Sequence, residues 1–495
     1  MQAKGIIMSE KTRARPARAV KAGGGLLPLL RRLHFYIGLF IAPFIFVAAF
    51  TGTLYVLTPQ LENALYASQL YSAPNGPARP LAEQITVAEK FIGPGVKIAA
   101  VRPAPHPGET TRVMFTTPLS GPSETTAVFI APDNLQVRGQ LRVYGTSGIL
   151  PLRTWLDYLH RNLLLGDLGR NYSELAASWL WVAAAGGVLL WAGNRAPRKG
   201  KVDKKSREWR LLRSRYWHSK LGLVLMLGLI FFSATGLTWS RWAGENISAM
   251  RTHFGWQTPV VNTELVSRSP STGDAMSQMM MPDGEVMAKN HAMMDEHAQH
   301  NMSGAIHNEP GISVVPNQFD RVLNAARAAG IDAARIEIRP AWKANKAWTV
   351  SEIDHSWPTQ VDSVAVDPQH FQVVDKVEFA RFGLLAKLTR WGIDAHMSVL
   401  FGLPNQLLLA FFSIGLCVMI VLGYRLWWLR RPPTGHRHPA ETLWYCWLLL
   451  SYPSRIMLVA VTFVLALSLP LMGISLLAML AIDAIRWQRA KHVVV

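Results

Sequence analysis

From Arg195 to Arg215 the chain reads RAPRKGKVDKKSREWRLLRSR, a densely basic segment set between two apolar runs, 174–194 and 216–240. Each run is about long enough for a helix crossing a hydrocarbon layer of roughly 30 Å, which takes about 20 residues. Short loops rich in Lys and Arg stay on the cytoplasmic side of a membrane. The segment is therefore read as cytoplasmic, and it sets the direction of the spans on either side.

Two further spans are expected at 33–58 and 404–429. The basic N-terminus (1–32), the RLWWLRRPPTGHRHP stretch within 430–454, and the closing RWQRAK then fall on the same side as 195–215. The N-terminus has no compact signal peptide, so the first run reads as a retained anchor. The apolar stretch 455–487 is too long for one ordinary span. Pro470 and Gly473 divide it into a hydrophobic hairpin, TM5 and TM6, with one long kinked helix as the alternative. The expected fold is a mainly α membrane protein, a pseudo-symmetric four-helix transmembrane bundle plus this C-terminal hairpin. Its location is a bacterial inner membrane, multi-pass, with the N-terminus cytoplasmic.

Composition agrees. Half of the residues are hydrophobic and 17% are charged, which a single soluble globule does not explain. The net charge of +19 is concentrated beside apolar runs, so it argues for the lipid bilayer and against nucleic acid. Cys417 and Cys446 are far apart and show neither CxxC nor zinc spacing.

Two large regions, 59–172 and 241–403, are left for the periplasmic side. Each has a helical stretch followed by alternating strand-like segments. LAEQITVAEKFI precedes TRVMFTTP and TAVFIAPDNLQVRG; FDRVLNAARAAG precedes RIEIRP, AWTVSEI and SVAVDPQHFQVV. Two α+β domains are the reading.

The two halves repeat each other. His34 stands eighteen residues before Gly52, and His218 eighteen before Gly236. Trp155 precedes His160 by five and Trp391 precedes His396 by five. Gly166 and Gly402 follow their histidines by six, and Trp191 and Trp427 by thirty-one. The unit of span, domain, histidine helix and span occurs twice.

The duplication preserves a histidine at two membrane levels. His34 and His218 begin spans at the cytoplasmic edge, while His160 and His396 lie on short helices at the outer edge. A lone interfacial histidine is usually a polar anchor, but four at matching offsets in costly surroundings point to function. Bundle cores hold cofactors between facing helices, and bis-imidazole haem iron has no open position, which suits electron transfer. Symmetry pairs His34 with His218 and His160 with His396 around two haem b groups. Gly38, Gly52, Gly222 and Gly236 offer room for a flat macrocycle or for ordinary helix packing. Arg153, Arg161, Arg381 and Arg390 offer partners for propionates or for lipid headgroups.

At LHFYIGL, WHSKLGL, LHRNLLLG and AHMSVLFGLPNQ the sequence resembles the PepSY-associated transmembrane family, which includes inner-membrane ferrisiderophore reductases. The resemblance covers about residues 30 to 430. It implies that the two periplasmic domains are PepSY-like, and that the four histidines bind haem. It further implies electrons passing from the cytoplasm to a ferric siderophore or other metal complex outside, a haem-dependent metalloreductase with iron-uptake character. A cytoplasmic donor, reduced flavin or a reductase, is expected because no GxGxxG follows a strand.

One segment falls outside the repeat. Residues 276–307, MSQMMMPDGEVMAKNHAMMDEHAQHNMSGAIH, hold eight methionines and four histidines. Thioether and imidazole suit copper, so Met279, Met280, Met281, His291, Met293, Met294, His297 and His300 are candidate ligands for copper or another metal. The alternative function is a periplasmic copper- or metal-binding, or transport-associated, membrane protein acting through this insert. A sensor or regulator is a third reading, and it leaves the four histidines unexplained.

Overall fold

The computed structural model describes residues 26–193, 203–265, 313–431 and 442–491, apart from 119, 122, 146, 147 and 344. Among these, five helices are long and apolar enough to cross a membrane. The first is α1 (Leu26–Tyr36) and α2 (Ala42–Val56), joined by a π-helical turn over Ile37–Ile41. The others are α7 (Gly166–Gly193), α8 (Arg207–Thr238), α12 (Leu403–Leu429) and α15 (Pro470–Lys491).

Helices α1, α7 and α8 begin seven to nine residues before the apolar runs that mark them, because the backbone stays helical where polar residues leave the hydrocarbon layer. Ser206 caps α8, its hydroxyl accepting from the Trp209 N–H at 3.0 Å. Outward faces remain apolar. On α12, Leu407, Phe411, Ile414, Val418 and Val421 form an exposed stripe at helical spacing, which a watery surface would not tolerate at this extent. Its polar residues Asn405, Gln406 and Ser413 turn inward, and Ser413 accepts from Thr53 at 2.7 Å. Helices α2, α7, α8 and α12 pack in a ring, each against two of the others.

The last apolar stretch is two helices, α14 (Tyr452–Ser468) and α15, broken where Pro470 begins the second. They run antiparallel. Asn246 in α9 (Trp242–His253), past the end of α8, caps the carbonyls of Leu467 and Ser468, while Asp483 reaches Tyr36 at the opposite end.

Between the spans each half builds a helix and four strands. The first half has α3 (Thr58–Leu65), α4 (Ala67–Leu70), α5 (Leu81–Ile92), β1 (Lys97–Arg102), β2 (Thr111–Thr116), β3 (Glu124–Ile130) and β4 (Val137–Tyr144). The second has α10 (Asn317–Ala328), β5 (Ile336–Arg339), β6 (Trp348–Glu352), β7 (Ser363–Val366) and β8 (Val373–Val377). The two do not stay separate. They form one antiparallel sheet in the order β4-β3-β2-β1-β5-β6-β7-β8, joined where Val101 pairs with Ile338. Pairing β1 with β5 removes what would be two open edges. Helices α5 and α10 cover one face over a shared core that includes Ile85, Phe115, Phe319 and Trp348.

The opposite face looks toward the spans. Leu70 and Leu150 pack there against Ala100, Met114 and Phe129. From this side α6 (Pro151–Asn162) and α11 (Leu384–His396) lead into α7 and α12. Both breaks carry a glycine at positive φ, Gly166 at 58° and Gly402 at 60°, a turn that side chains with a Cβ disfavour. The residues 276–307 lie outside the described set.

Candidate functional site

The structure brings one histidine pair face to face and sets the other two histidines on neighbouring helices at the opposite level. At the basic end, His34 in α1 and His218 in α8 face each other with ring centres 6.3 Å apart and ring planes at 80°. Two imidazoles bonded to one metal at roughly 2 Å each would set their ring centres on the order of 6 Å apart. Each packs against a glycine of the next span. A Cβ on Gly187 would lie 3.3 Å from His34 Cε1, and one on Gly423 would lie 3.4 Å from His218 Cε1. Only glycine leaves these rings their place without displacement.

At the sheet end, His160 and His396 sit on α6 and α11. Arg153 of α6 donates to the Met397 carbonyl at 3.0 Å, and the Tyr55 hydroxyl reaches Met397 Sδ at 3.8 Å, so the two helices share contacts. Phe232 and Trp239 stand edge-on to the His396 ring at 5.5 and 5.6 Å. The Tyr172 hydroxyl donates to the His160 carbonyl.

The Nδ1 partners decide what each ring offers. The Thr51 hydroxyl donates its proton to the Val47 carbonyl at 2.7 Å, so at 3.1 Å it accepts from His160 Nδ1–H. Thr235 does the same for His396, donating to Phe231 O at 2.7 Å and accepting from Nδ1–H at 2.7 Å. His218 Nδ1–H donates to the Met419 carbonyl at 2.9 Å. His34 Nδ1 points to the matching Ala183 carbonyl without closing a hydrogen bond. A ring whose Nδ1 holds the proton carries its lone pair on Nε2, the form that binds a metal. Among the described residues none of the four Nε2 atoms takes a hydrogen bond, and all four side chains are only half-buried.

Burial lowers the pKa of His160, with Asp157 and the Ala48 carbonyl partly offsetting it. Burial likewise pushes His396 down to about 3, with the nearby His160 adding to the effect. Both are neutral imidazoles at physiological pH.

The fit to a haem rests on this donor set, a facing pair in His34 and His218 and a second pair, His160 and His396, on helices joined by the Arg153–Met397 contact, with three of the four Nε2 lone pairs directed by a hydrogen bond at Nδ1. Of the glycines considered for macrocycle contact, Gly52 lies against His160, Gly222 against Met419 and Gly236 against Ala177; a Cβ on Gly38 would meet nothing within 4 Å. Arg161, Arg381 and Arg390 are engaged by protein groups: Tyr144, Glu378, and the pair Asp394 and His355. Among the described residues no group of three or more His, Cys, Asp or Glu side chains is placed to hold a bare ion. The candidate copper ligands Met279, Met280, Met281, His291, Met293, Met294, His297 and His300 lie outside the described residues.

Sequence reasoning missed Thr51, Thr235, Gly187 and Gly423. Their signal was present, since each threonine follows its inner histidine by seventeen residues, and each glycine follows its outer histidine by twenty-seven. The sequence model described as PepSY-associated TM region matches residues 31–430. No curated protein matches the chain.

Proposed function

The chain belongs to the PepSY-associated transmembrane family, and on that premise we propose that it is a haem-containing electron-transfer protein of a bacterial inner membrane. The observation that carries the proposal is the facing His34–His218 pair, with His160 and His396 at the other level, three of the four rings fixed by a hydrogen bond at Nδ1 that leaves Nε2 the lone pair. A haem held in each pair supplies a one-electron carrier without an open coordination position. His34 and His218 are the ligands at the cytoplasmic level, and His160 and His396 at the periplasmic level, within a pseudo-symmetric four-helix bundle. Thr51, Thr235 and the Met419 carbonyl orient the rings, and Phe232 and Trp239 shield the outer pair from water.

The electron donor is a cytoplasmic reduced flavin or reductase. The acceptor is a ferric siderophore or related metal complex in the periplasm, under the sheet formed by the two PepSY-like domains. A copper-directed role for the 276–307 insert is the second reading, favoured by its eight methionines.

The test is a reduced-minus-oxidised visible spectrum of protein expressed with ample haem, with haem counted per chain. Sharp low-spin b-type bands at two haems per chain are expected, falling to one in His218→Ala or His396→Ala. A colourless protein removes the proposal and leaves the insert as the guide to function.

A further inference from the structure

The two inner histidines are held in different ways. The His218 ring is fixed locally, its Nδ1–H donating to the Met419 carbonyl at 2.9 Å, and it stands on α8, one unbroken helix. The His34 ring has no such bond: among the described residues its buried Nδ1 has no hydrogen-bond partner. Its helix is also interrupted. Directly after Tyr36 the chain makes the π turn over Ile37–Ile41, in which the Ala42 N–H reaches back to the Ile37 carbonyl. Such a turn closes i→i+5 instead of i→i+4, so the face that α1 presents to the bundle is not dictated by the packing of α2. Something else sets the rotation of α1, and with it the direction of the His34 ring.

A network on the other side of α1 does so. Two residues turn a helix by about 200°, so Tyr36 and, one turn earlier, Arg32 lie on the face away from His34. Tyr36 is fully buried, and so is Asp483 of α15. The Tyr36 hydroxyl donates to Asp483 and accepts from Arg32 at 3.0 Å and from Arg486 of α15 at 3.3 Å. The second Asp483 oxygen accepts from the Trp444 N–H at 3.1 Å, in the first turn of α13 (Leu443–Leu448). Three helices therefore meet on one carboxylate. A buried acid at membrane depth is costly and tends to mark function. Helices α13 and α15 lie beyond residue 430, outside the matched family region. At the position that repeats Tyr36 in the second half stands the exposed Lys220. The half whose histidine has its own hydrogen bond lacks the remote network, and the half with the network lacks that bond.

We propose that Tyr36 and Asp483 are positioning residues for the inner histidine pair, through which the C-terminal helices hold α1 at the rotation that keeps His34 facing His218. The inference rests on the proposed function, in which these two histidines hold a haem, and it gives the appended helices a part in that site. Both residues act through the backbone of α1.

The test is made on full-length protein in detergent, in the His396→Ala background, so that only the inner pair is read. Two quantities are measured, the rate at which haem passes to apomyoglobin and the share of low-spin spectrum. Tyr36→Phe, which keeps the ring and removes the hydroxyl, and Asp483→Asn are each expected to release haem about ten-fold faster, the lower end for losing a group that orients a ligand. Part of the low-spin band gives way to a high-spin one. Ser475→Ala removes the acceptor of the Trp179 N–H and loosens the same helix elsewhere. It is expected to lower the unfolding temperature and to leave both haem readings unchanged. Unchanged release and spectrum in Tyr36→Phe and Asp483→Asn overturn the assignment. An equal change in Ser475→Ala also overturns it, because the effect would then be one of general stability. If Asp483→Asn fails to fold, Tyr36→Phe decides by the same two readings. A parent protein without haem removes the proposed function and this inference together, whereas a two-haem parent whose inner haem ignores both variants removes this inference alone.

Discussion

The first and third spans carry matching histidines on helices built differently. After His34 the helix loosens into a π turn over Ile37–Ile41, just ahead of Pro43, whose missing N–H removes one rung of the ladder. After His218, α8 runs through as one helix of 32 residues. Two residues beyond His34 stands Tyr36, fully buried, with its hydroxyl donating to Asp483 of α15 and accepting from Arg32 at 3.0 Å. Two residues beyond His218 stands Lys220, exposed. The duplication thus keeps the histidine positions, while the C-terminal helices pack along the spans of the first half and meet the second half at α9. Trp179 of α7 donates to Ser475 of α15 at 2.8 Å, which extends the same one-sided contact along the first half. The appended helices are structural partners chiefly of the first half, through α1 and α7, and touch the second half through α9.

The largest effect expected from this asymmetry is at Asp483. Asp483→Ala leaves both the Tyr36 hydroxyl and the Trp444 N–H without their acceptor in a buried place. The cost expected is about 3 kcal/mol, from two unsatisfied groups at about 1–3 kcal/mol each. Lys220→Ala, the matching change in the other half, is expected to stay within about 0.5 kcal/mol. Thermal unfolding in detergent checks both. Equal loss in the two variants would mean that the C-terminal helices do not favour the first half.

The outer pair gives a smaller and sharper comparison. Thr235 is the hydrogen-bond partner of His396 Nδ1, whereas His160 has both Thr51 and the nearby Ala48 carbonyl. Thr235→Val is therefore expected to weaken retention of the outer ligand about ten-fold, the lower end for losing an orienting group, and Thr51→Val by less. Haem content after gel filtration, measured side by side, ranks the two. The opposite order would show that Thr51 alone fixes the tautomer of His160.

These particulars show what the sequence could carry. The spans, the order of elements and helix α5 were legible because apolar runs and helical periodicity depend on local composition. The juxtaposition of His34 and His218 was legible because the repeat fixed their offsets. Thr51 and Thr235 stood in repeated Thr-Gly pairs, FTGTL and ATGLT, yet only the glycines drew notice. The Met419 carbonyl is backbone and leaves no mark in sequence. The continuous sheet was illegible for a different reason, since β1 meets β5 only when the two halves have folded face to face. Asp483 was a visible oddity, a lone acid in an apolar stretch, but its partner lies 447 residues away.

The smallest effect expected concerns acid. Burial holds His160 below the ordinary imidazole value and His396 at about 3, against 6.5 for the unfolded chain. Below pH 6.5 the unfolded chain takes up protons that the folded protein refuses, so this contribution is complete above about pH 6.5 and is lost as pH falls toward 3. Asp157 beside His160 works in the opposite direction, since burial raises its pKa and the folded protein takes its proton more readily. The histidine share is isolated by comparing the parent with His396→Gln, both prepared without haem, at pH 7 and pH 5. The parent is expected to lose more stability than the variant over that interval, by about 1 kcal/mol after solvent screening. Equal losses would mean that His396 takes up its proton in the folded state. The ring would then be open to water at the sheet end, unlike the neutral, half-buried base that the Thr235 hydrogen bond describes.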